Sequence, residues 1–267
     1  MFRITVVTVT YNAEKLIENT LKSVLIQDYP NLEYVIVDGG SKDLTVKIIQ
    51  EYEERFLKKN IRYSYVSEKD NGIFDAMNKA TKIASGDYVI FINAGDLLAN
   101  ANVLSSVFDS LSEEDADVIY GNHYVLYEKM FTAVKPRHID YMPQTMPFSH
   151  QATFTKREIL LKNPYNIAYS LCADYDLYLK LYLSKAKFVY ADCFIAYFAA
   201  GGACQSNIRT TRNQVFSIRR NQGVINNINY LYYWIRKEVY IYKCSAKSLL
   251  NKNANCGTEF MSYDYLN

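Results

Sequence analysis

Through the first 120 residues, short runs of β-branched and apolar residues alternate with stretches whose apolar positions recur every three or four residues. That alternation predicts βαβ units and a mostly parallel sheet flanked by helices, an α/β fold. Ile4 to Thr10 reads as the first strand, and Leu16, Ile17, Leu21, Val24 and Leu25 mark one face of the helix after it. Tyr34 to Val37 is a second strand, broken at Asp38-Gly39-Gly40-Ser41, where Ser41 is placed to cap a helix reaching Phe56. Ile61 to Val66 is a third strand. After the polar turn Asp70-Asn71-Gly72, a helix presents Ile73, Met77, Ala80 and Ile83 on one face and stops at Ser85-Gly86. Tyr88 to Ile92 and Val118 to Tyr120 complete the strands of this half.

Beyond Gly121 the pattern loosens. Pro136, Pro143 and Pro147 place a hairpin and an irregular loop between residues 124 and 150. Asp174 to Leu183 is a helix with Leu177, Tyr178 and Leu181 turned inward, and two more helices are expected near 208–222 and 228–245. The expected organisation is one domain over residues 1–204 and a helical appendage over 205–267.

With 49% hydrophobic residues and only 10 Gly and 5 Pro in 267, the composition excludes collagen, low-complexity and extended disorder. A net charge of +2 hides an asymmetry: residues 205–267 carry nine basic and three acidic side chains, residues 1–204 carry 21 and 25. Tyr230, Tyr232, Tyr233, Tyr240 and Tyr242 surround the lone Trp234, a mixture suited to peripheral contact with an anionic membrane or a phosphate-bearing partner. A basic helix packed on the acidic body reads equally well. Nothing points to nucleic acid. Five scattered Cys without a CxxC pair, and a start without a secretory signal pattern, fit a reduced cytoplasmic protein. The most apolar stretch, Phe188 to Cys204, contains Asp192 and falls short of the ~20 residues a membrane span requires.

In an open α/β sheet the ligand site forms beyond the carboxyl ends of the strands. Those ends carry Thr10-Tyr11-Asn12, Asp38-Gly39-Gly40, Glu68 to Gly72, and Asn93-Ala94-Gly95-Asp96. Carboxylates gathered there suit hydrogen bonds to a ribose or base and a hard divalent cation on a diphosphate. Each alone also reads as a turn or a helix cap, Asp96 included. No GxGxxG follows the first strand, and GxxxxGK[ST] and GxSxG are absent, which removes dehydrogenase, P-loop and α/β-hydrolase readings.

The succession VVTVTYNAEKLIENTLKSVLIQ, YVIVDGGSKDLT, EKDNGIFDAMNKA, GDYVIFINAGD, SHQATF and ADYDLYLKL resembles family 2 glycosyltransferases of the GT-A fold, especially those of bacterial surface-polysaccharide synthesis, over residues 3–200. The resemblance implies a nucleotide-binding part over about 1–120 and an acceptor part over about 121–204. It implies that Thr10, Tyr11 and Asn12 line a nucleotide pocket, that Asp38 takes uracil or ribose, and that Asp70, Asn78 and Asn93 face the diphosphate-sugar. Lys79 either adds positive charge there or is solvated. The family's DxD-type acid cluster is NAGD here, which leaves Asp96 as the one strong ligand for Mn²⁺ or Mg²⁺. Asp174 falls at the position of the general base, with Ala173 where a second acid is usual; a helix N-cap is its competing reading. His150-Gln151 borders the acceptor or the phosphates, with a satisfied structural histidine as the competing reading.

The implied activity is inverting transfer of a hexose-type sugar from a nucleotide-sugar, a UDP-sugar above all, to a glycan or lipid-linked glycan hydroxyl. A non-catalytic nucleotide-sugar or glycan-binding module is the alternative from another class. A sugar-phosphate nucleotidyltransferase ranks below both, since VTVTYNAEK lacks the Gly-rich basic loop such enzymes open with.

Overall fold

The computed structural model describes residues 1–110, 116–127, 130–202 and 206–226. The chain divides into two compact units, Met1–Ile218 and Arg219–Asn267. The helix expected near 228–245 and the Tyr/Trp cluster lie outside the described residues.

The first half follows the expected alternation: β1 (Ile4–Thr10), α1 (Ile17–Leu25), β2 (Leu32–Asp38), α2 (Thr45–Lys58), β3 (Arg62–Ser67), α3 (Ile73–Ile83) and β4 (Tyr88–Phe91). These strands lie in the order β3-β2-β1-β4, all parallel. β1 and β2 are buried along their whole length, which is why they read as unbroken apolar runs rather than as an alternation. Register puts Thr10 beside Asp38 and Asp38 beside Ser67, so three strands end in one row.

Two local expectations fail. Ser41 does not cap α2, because its hydroxyl and its N–H are both given to Asp38, and the helix starts only at Thr45. Asp43 accepts the Thr45 N–H instead, at 3.0 Å. On α3 the end positions Ile73 and Ile83 are exposed, while Phe74, Met77, Ala80 and Thr81 face the sheet.

The second half comprises β5 (Leu97–Leu98), α4 (Val103–Ser110), β6 (Val118–Leu126), β7 (Phe131–Val134), β8 (Thr153–Lys156), α5 (Arg157–Lys162), α6 (Ala173–Leu183) and β9 (Phe188–Ala199). Here the sheet becomes mixed. β8 inserts antiparallel between β4 and β6, β9 runs parallel to β6, β5 pairs antiparallel with β9, and β7 forms the expected hairpin with β6. The fold is a GT-A-like α/β sheet with flanking helices, parallel in its first half only. β6 and β9 lose register at Gly121 and Asn122, and the two strands approach so closely that a Cβ at Gly121 would lie 2.6 Å from Ile195 Cδ1. Helix α7 (Ile208–Asn221) matches the first of the two expected C-terminal helices.

At the opposite edge from the strand ends, buried Glu33 binds three elements together. Its carboxylate accepts from Thr5 Oγ1 at 2.5 Å and from Ser85 N and Oγ at 2.7 and 2.8 Å. Burial acts to raise its pKa, but the bonds from Thr5, Ser85 and Gly86 outweigh it and hold the group below its ordinary value.

Candidate active site

The row Thr10, Asp38, Ser67 forms the floor of the sheet edge. Thr10 is buried, and its Oγ1 has no hydrogen-bond partner among the described residues. Tyr11 is 62% exposed, a large ring standing at an open edge. Asn12 takes a positive φ of 47° and stitches two loops: its N–H donates to Ser41 Oγ at 2.7 Å, and its Oδ1 accepts from Lys42 N at 2.9 Å.

Asp38 is fully buried, and donors already fill its carboxylate. It accepts from Gly40 N at 3.0 Å, Ser41 N at 2.9 Å, Ser67 Oγ at 2.6 Å and the Ser41 hydroxyl. Two oxygens offer about four acceptor positions, so this carboxylate shapes the loop around the pocket. Gly39 lies against Asp70, and a Cβ there would stand 2.6 Å from Asp70 Oδ2. Asp70 in turn accepts the Gly72 N–H at 2.8 Å, an Asx turn that sets the start of α3, with Gly72 at φ 109°.

Asn78 and Lys79 are occupied elsewhere. Asn78 makes two hydrogen bonds to the backbone of Tyr165. Lys79 pairs with Glu68 at 2.8 Å and donates to Lys69 O at 3.1 Å, so its charge is spent on the loop before α3.

The NAGD turn follows β4. Gly95 takes φ 100°, the Asp96 N–H returns to Asn93 O at 2.9 Å, and Thr20 of α1 ties the turn down by accepting Gly95 N and donating to Asp96 O. Asp96 precedes a strand, not a helix, so the capping reading falls away. Its carboxylate is buried, and that burial pushes its pKa up to about 6 against opposing effects of the His150 charge and a hydrogen bond from Gln151. Asn93 Oδ1 is buried without a hydrogen-bond partner among the described residues.

From the other half of the sheet come His150, on a short 3₁₀ turn (His150–Ala152) before β8, and Asp174, the second residue of α6. His150 Nδ1 lies 3.2 Å from Asp174 Oδ2, with both side chains more than four-fifths buried. Cys172, not Asp174, occupies the N-cap of α6; Asp174 Oδ1 accepts the N–H of Tyr175 at 2.8 Å. The Asp174 charge also acts on the buried phenols of Tyr165 and Tyr178, and Tyr178 bonds Thr155 Oγ1 at 3.0 Å. The structure thus places Asp174 against the His150 imidazole, whose charge also acts on Asp96 from another element. Ser67 was not singled out from sequence, because a lone polar residue in a loop carries no periodic signal, and Ser41 was read only as a helix cap.

Oxygen donors suited to a hard cation are present at the NAGD turn: the Asp96 carboxylate and the partnerless Asn93 carbonyl. Among the described residues no cluster of three or more His, Cys, Asp or Glu is arranged to hold an ion by itself.

The chain is similar in sequence and in fold to known glycosyltransferases. A PGL/p-HBAD biosynthesis glycosyltransferase of Mycobacterium tuberculosis is 28% identical over 179 residues, 66% of this chain and 68% of that protein. The poly(ribitol-phosphate) β-N-acetylglucosaminyltransferase TarS of Staphylococcus aureus is 32% identical over 121 residues, 45% of this chain and 20% of that much longer protein. In fold, the chain superposes on S. aureus TarS 1–349 in complex with UDP at a TM-score of 0.65 and 19% identity, over 85% of this chain and 68% of that one. A mannosyltransferase of Pyrobaculum calidifontis in complex with GDP-Man and Mn²⁺ gives 0.62 at 22% identity, over 81% and 63%. The profile of Glycosyl transferase family 2 matches residues 5–175, from β1 to the start of α6, and the chain belongs to that family.

Proposed function

We propose that this protein is an inverting, metal-dependent glycosyltransferase that moves a hexose-type sugar from a UDP-sugar to a hydroxyl of a glycan or lipid-linked glycan in bacterial surface-polysaccharide synthesis. The observation that carries the reading is the His150–Asp174 pair at 3.2 Å, with the buried Asp96 in the turn after β4 under the influence of the same imidazole's charge.

In this reading the nucleotide lies along the strand ends, with the base against exposed Tyr11, the ribose and diphosphate over the Asp38–Gly40 and Asp70–Gly72 loops, and Thr10 Oγ1 offering a hydroxyl with no other partner. Asp96 and Asn93 would hold Mn²⁺ or Mg²⁺ together with oxygens of the donor's phosphates. Bound there, the cation would neutralise charge developing on the departing nucleoside diphosphate. Asp174 takes the proton of the acceptor hydroxyl as its oxygen attacks the anomeric carbon. Asp176, two residues on, points about 200° around the helix and cannot share that task. With one base and no second carboxylate placed as a nucleophile, a single displacement with inversion follows.

The acceptor meets the second half of the sheet. Among the described residues no helix is long and apolar enough to cross a membrane, and in this reading the basic segment 205–267 contributes a peripheral contact to a lipid-linked acceptor. Thermal-shift screening of nucleotide-sugars with and without Mn²⁺ tests the reading. A stabilisation by UDP and one UDP-sugar that depends on Mn²⁺ supports it, and equal response to every nucleotide, or binding without turnover in any acceptor mixture, favours a binding module.

A further inference from the structure

β6 and β9 outrun the rest of the sheet. Ile119 of β6 lies level with Phe154 of β8 and, through it, with Ile90 of β4, a strand that stops one residue later. β6 continues through Leu126 with β9 beside it to Ala199, about 20 Å past the end of β4 at ~3.3 Å per residue. With β7 paired along the same stretch, these strands form a ribbon that projects beyond the strand ends where the candidate site lies.

One face of the ribbon is continuous with the face of the sheet that carries α6. Ring contacts run from Tyr178 of α6 to Phe148 at 5.2 Å, on to Tyr120 at 4.7 Å and to Tyr190 at 5.7 Å. The Tyr190 hydroxyl reaches Asn122 Oδ1 at 2.8 Å, and Tyr124, two residues on, takes the same side of β6. Asp174 precedes Tyr178 by one turn on the same face of α6. Asp96 adjoins the ribbon along the backbone: it precedes Leu97, which pairs with Tyr197, and with Leu98 and Ala196 turned to the core, Leu97 and Tyr197 face the other way.

What this face presents is aromatic and fixed. Tyr124 stacks on both Phe194 and Tyr197, with centroids 4.2 and 4.4 Å away and planes within 18°. Phe131 of β7 stands at right angles to Tyr124 and Tyr197, at 5.2 and 5.9 Å, and is 58% exposed, a large ring held in one orientation yet open to solvent. At the end nearer α6 stands a carboxylate. Asp192 Oδ1 accepts from Asn122 Nδ2 at 3.0 Å and Lys135 Nζ at 3.2 Å, with the Tyr190 hydroxyl at 2.8 Å, and the side chain remains 64% exposed.

Fixed aromatic rings beside a positioned carboxylate match one chemistry. The C–H face of a pyranose carries slightly positive hydrogens that suit the negative face of an aromatic ring. The hydroxyls around its rim donate, and an ionised carboxylate only accepts. An acyl chain gains nothing from that carboxylate, and a phosphate is repelled by it.

We propose that the β6–β7–β9 ribbon is an acceptor platform that takes a chain of sugars, one ring on Phe131 and a hydroxyl of another on Asp192, and presents its end to Asp174. The acceptor is then an oligosaccharide, not a single sugar or a bare lipid phosphate. The inference rests on the function proposed above and names the class of its acceptor.

An array of defined bacterial-type mono- to hexasaccharides, probed with the full chain in the presence of UDP and Mn²⁺, tests it. Binding should require more than a single sugar. For the glycan bound most tightly, Phe131→Ala should weaken binding about tenfold, the scale of one aromatic contact. Phe131→Tyr should keep the affinity, and Asp192→Asn, which retains an oxygen but not the charge, should lose less than Phe131→Ala. Mn²⁺-supported UDP binding and the melting temperature should stay at wild-type values in all three. No binding to any glycan, or equal binding by wild type and Phe131→Ala, would overturn the platform. So would self-association that Phe131→Ala abolishes, which makes the face a contact between copies, or release of residues 227–267 to protease by Phe131→Ala with glycan binding intact, which makes the chain's own end the occupant. The two ideas fail separately: Mn²⁺-dependent UDP binding with glycan binding indifferent to Phe131 sinks the platform alone, whereas Phe131-dependent glycan binding without UDP binding or transfer leaves a glycan-binding module and removes the proposed transferase.

Discussion

Asn78 grips the backbone of Tyr165 at both of its hydrogen-bonding groups: Oδ1 accepts the Tyr165 N–H at 2.8 Å and Nδ2 donates to the Tyr165 carbonyl at 2.9 Å. The resemblance implied a contact to the donor for this residue; in the structure its amide also pins the segment before α6 to α3. Asn78→Ala should therefore cost about 1–3 kcal/mol of stability, the penalty of leaving buried backbone groups unpaired. Urea unfolding reads this, and donor affinity should be unchanged at temperatures where the variant is folded. A lost donor affinity with unchanged stability would return Asn78 to the pocket.

Asp96 carries a cost that the metal would relieve. Its pKa is raised from 3.8 to about 6 by burial, so the folded protein binds a proton there more tightly than the unfolded chain does. Stability is therefore greatest below the unfolded value and falls as pH rises through about 6. With each tenfold change in proton affinity worth about 1.4 kcal/mol, the charged group costs the metal-free protein about 3 kcal/mol at pH 7. Asp96→Asn should thus raise the metal-free melting temperature at pH 7 while abolishing the Mn²⁺ dependence of UDP binding. Lower stability at pH 7 together with a retained metal response would contradict both roles.

Gly39→Ala probes the contact between two strand-end loops. Its Cβ would stand 2.6 Å from Asp70 Oδ2, the end of a side chain that can swing away, so stability should fall little. Donor binding should fall more, because in the proposed function the donor lies over the Asp70–Gly72 loop that this contact shapes. Calorimetry and thermal melting on the same variant compare the two, and loss of stability without loss of donor affinity would make the contact purely structural.

The parallel half of the fold was legible because β1, β2 and β4 are buried on both faces and announce themselves as apolar runs between amphipathic helices. β8 was not, since Thr153 to Lys156 is four residues long and owes its place to the strands on either side. β9 was seen as an apolar stretch, but not as a strand, because an apolar run alone does not distinguish strand from helix. The site divided similarly. Its residues could be found by position at strand ends, but their partners could not: nothing in the spacing reveals that Ser41 serves Asp38 instead of capping α2, or that Asp174 faces His150.

Glu33 tests the sheet away from the site. Its carboxyl, held below its ordinary pKa by its hydrogen bonds, stabilises the fold above the unfolded value of 4.5, and that contribution disappears as pH falls through the lower folded value. Glu33→Gln should lose about 1–3 kcal/mol at pH 7, and the difference from wild type should shrink in acid. A difference constant with pH would mean that the hydrogen bonds, without the charge, account for the effect.

The general base is the claim on which the account turns, and Asp174→Asn addresses it with the fewest assumptions. The amide keeps the size of the side chain and an oxygen for the Tyr175 N–H, but cannot take a proton from the acceptor. The account predicts that Mn²⁺-supported UDP binding and the melting temperature stay close to wild type while sugar transfer falls by about 10²–10⁴-fold, the usual contribution of a positioned base. Transfer at the wild-type rate, or a loss matched by unfolding of the variant, would contradict it.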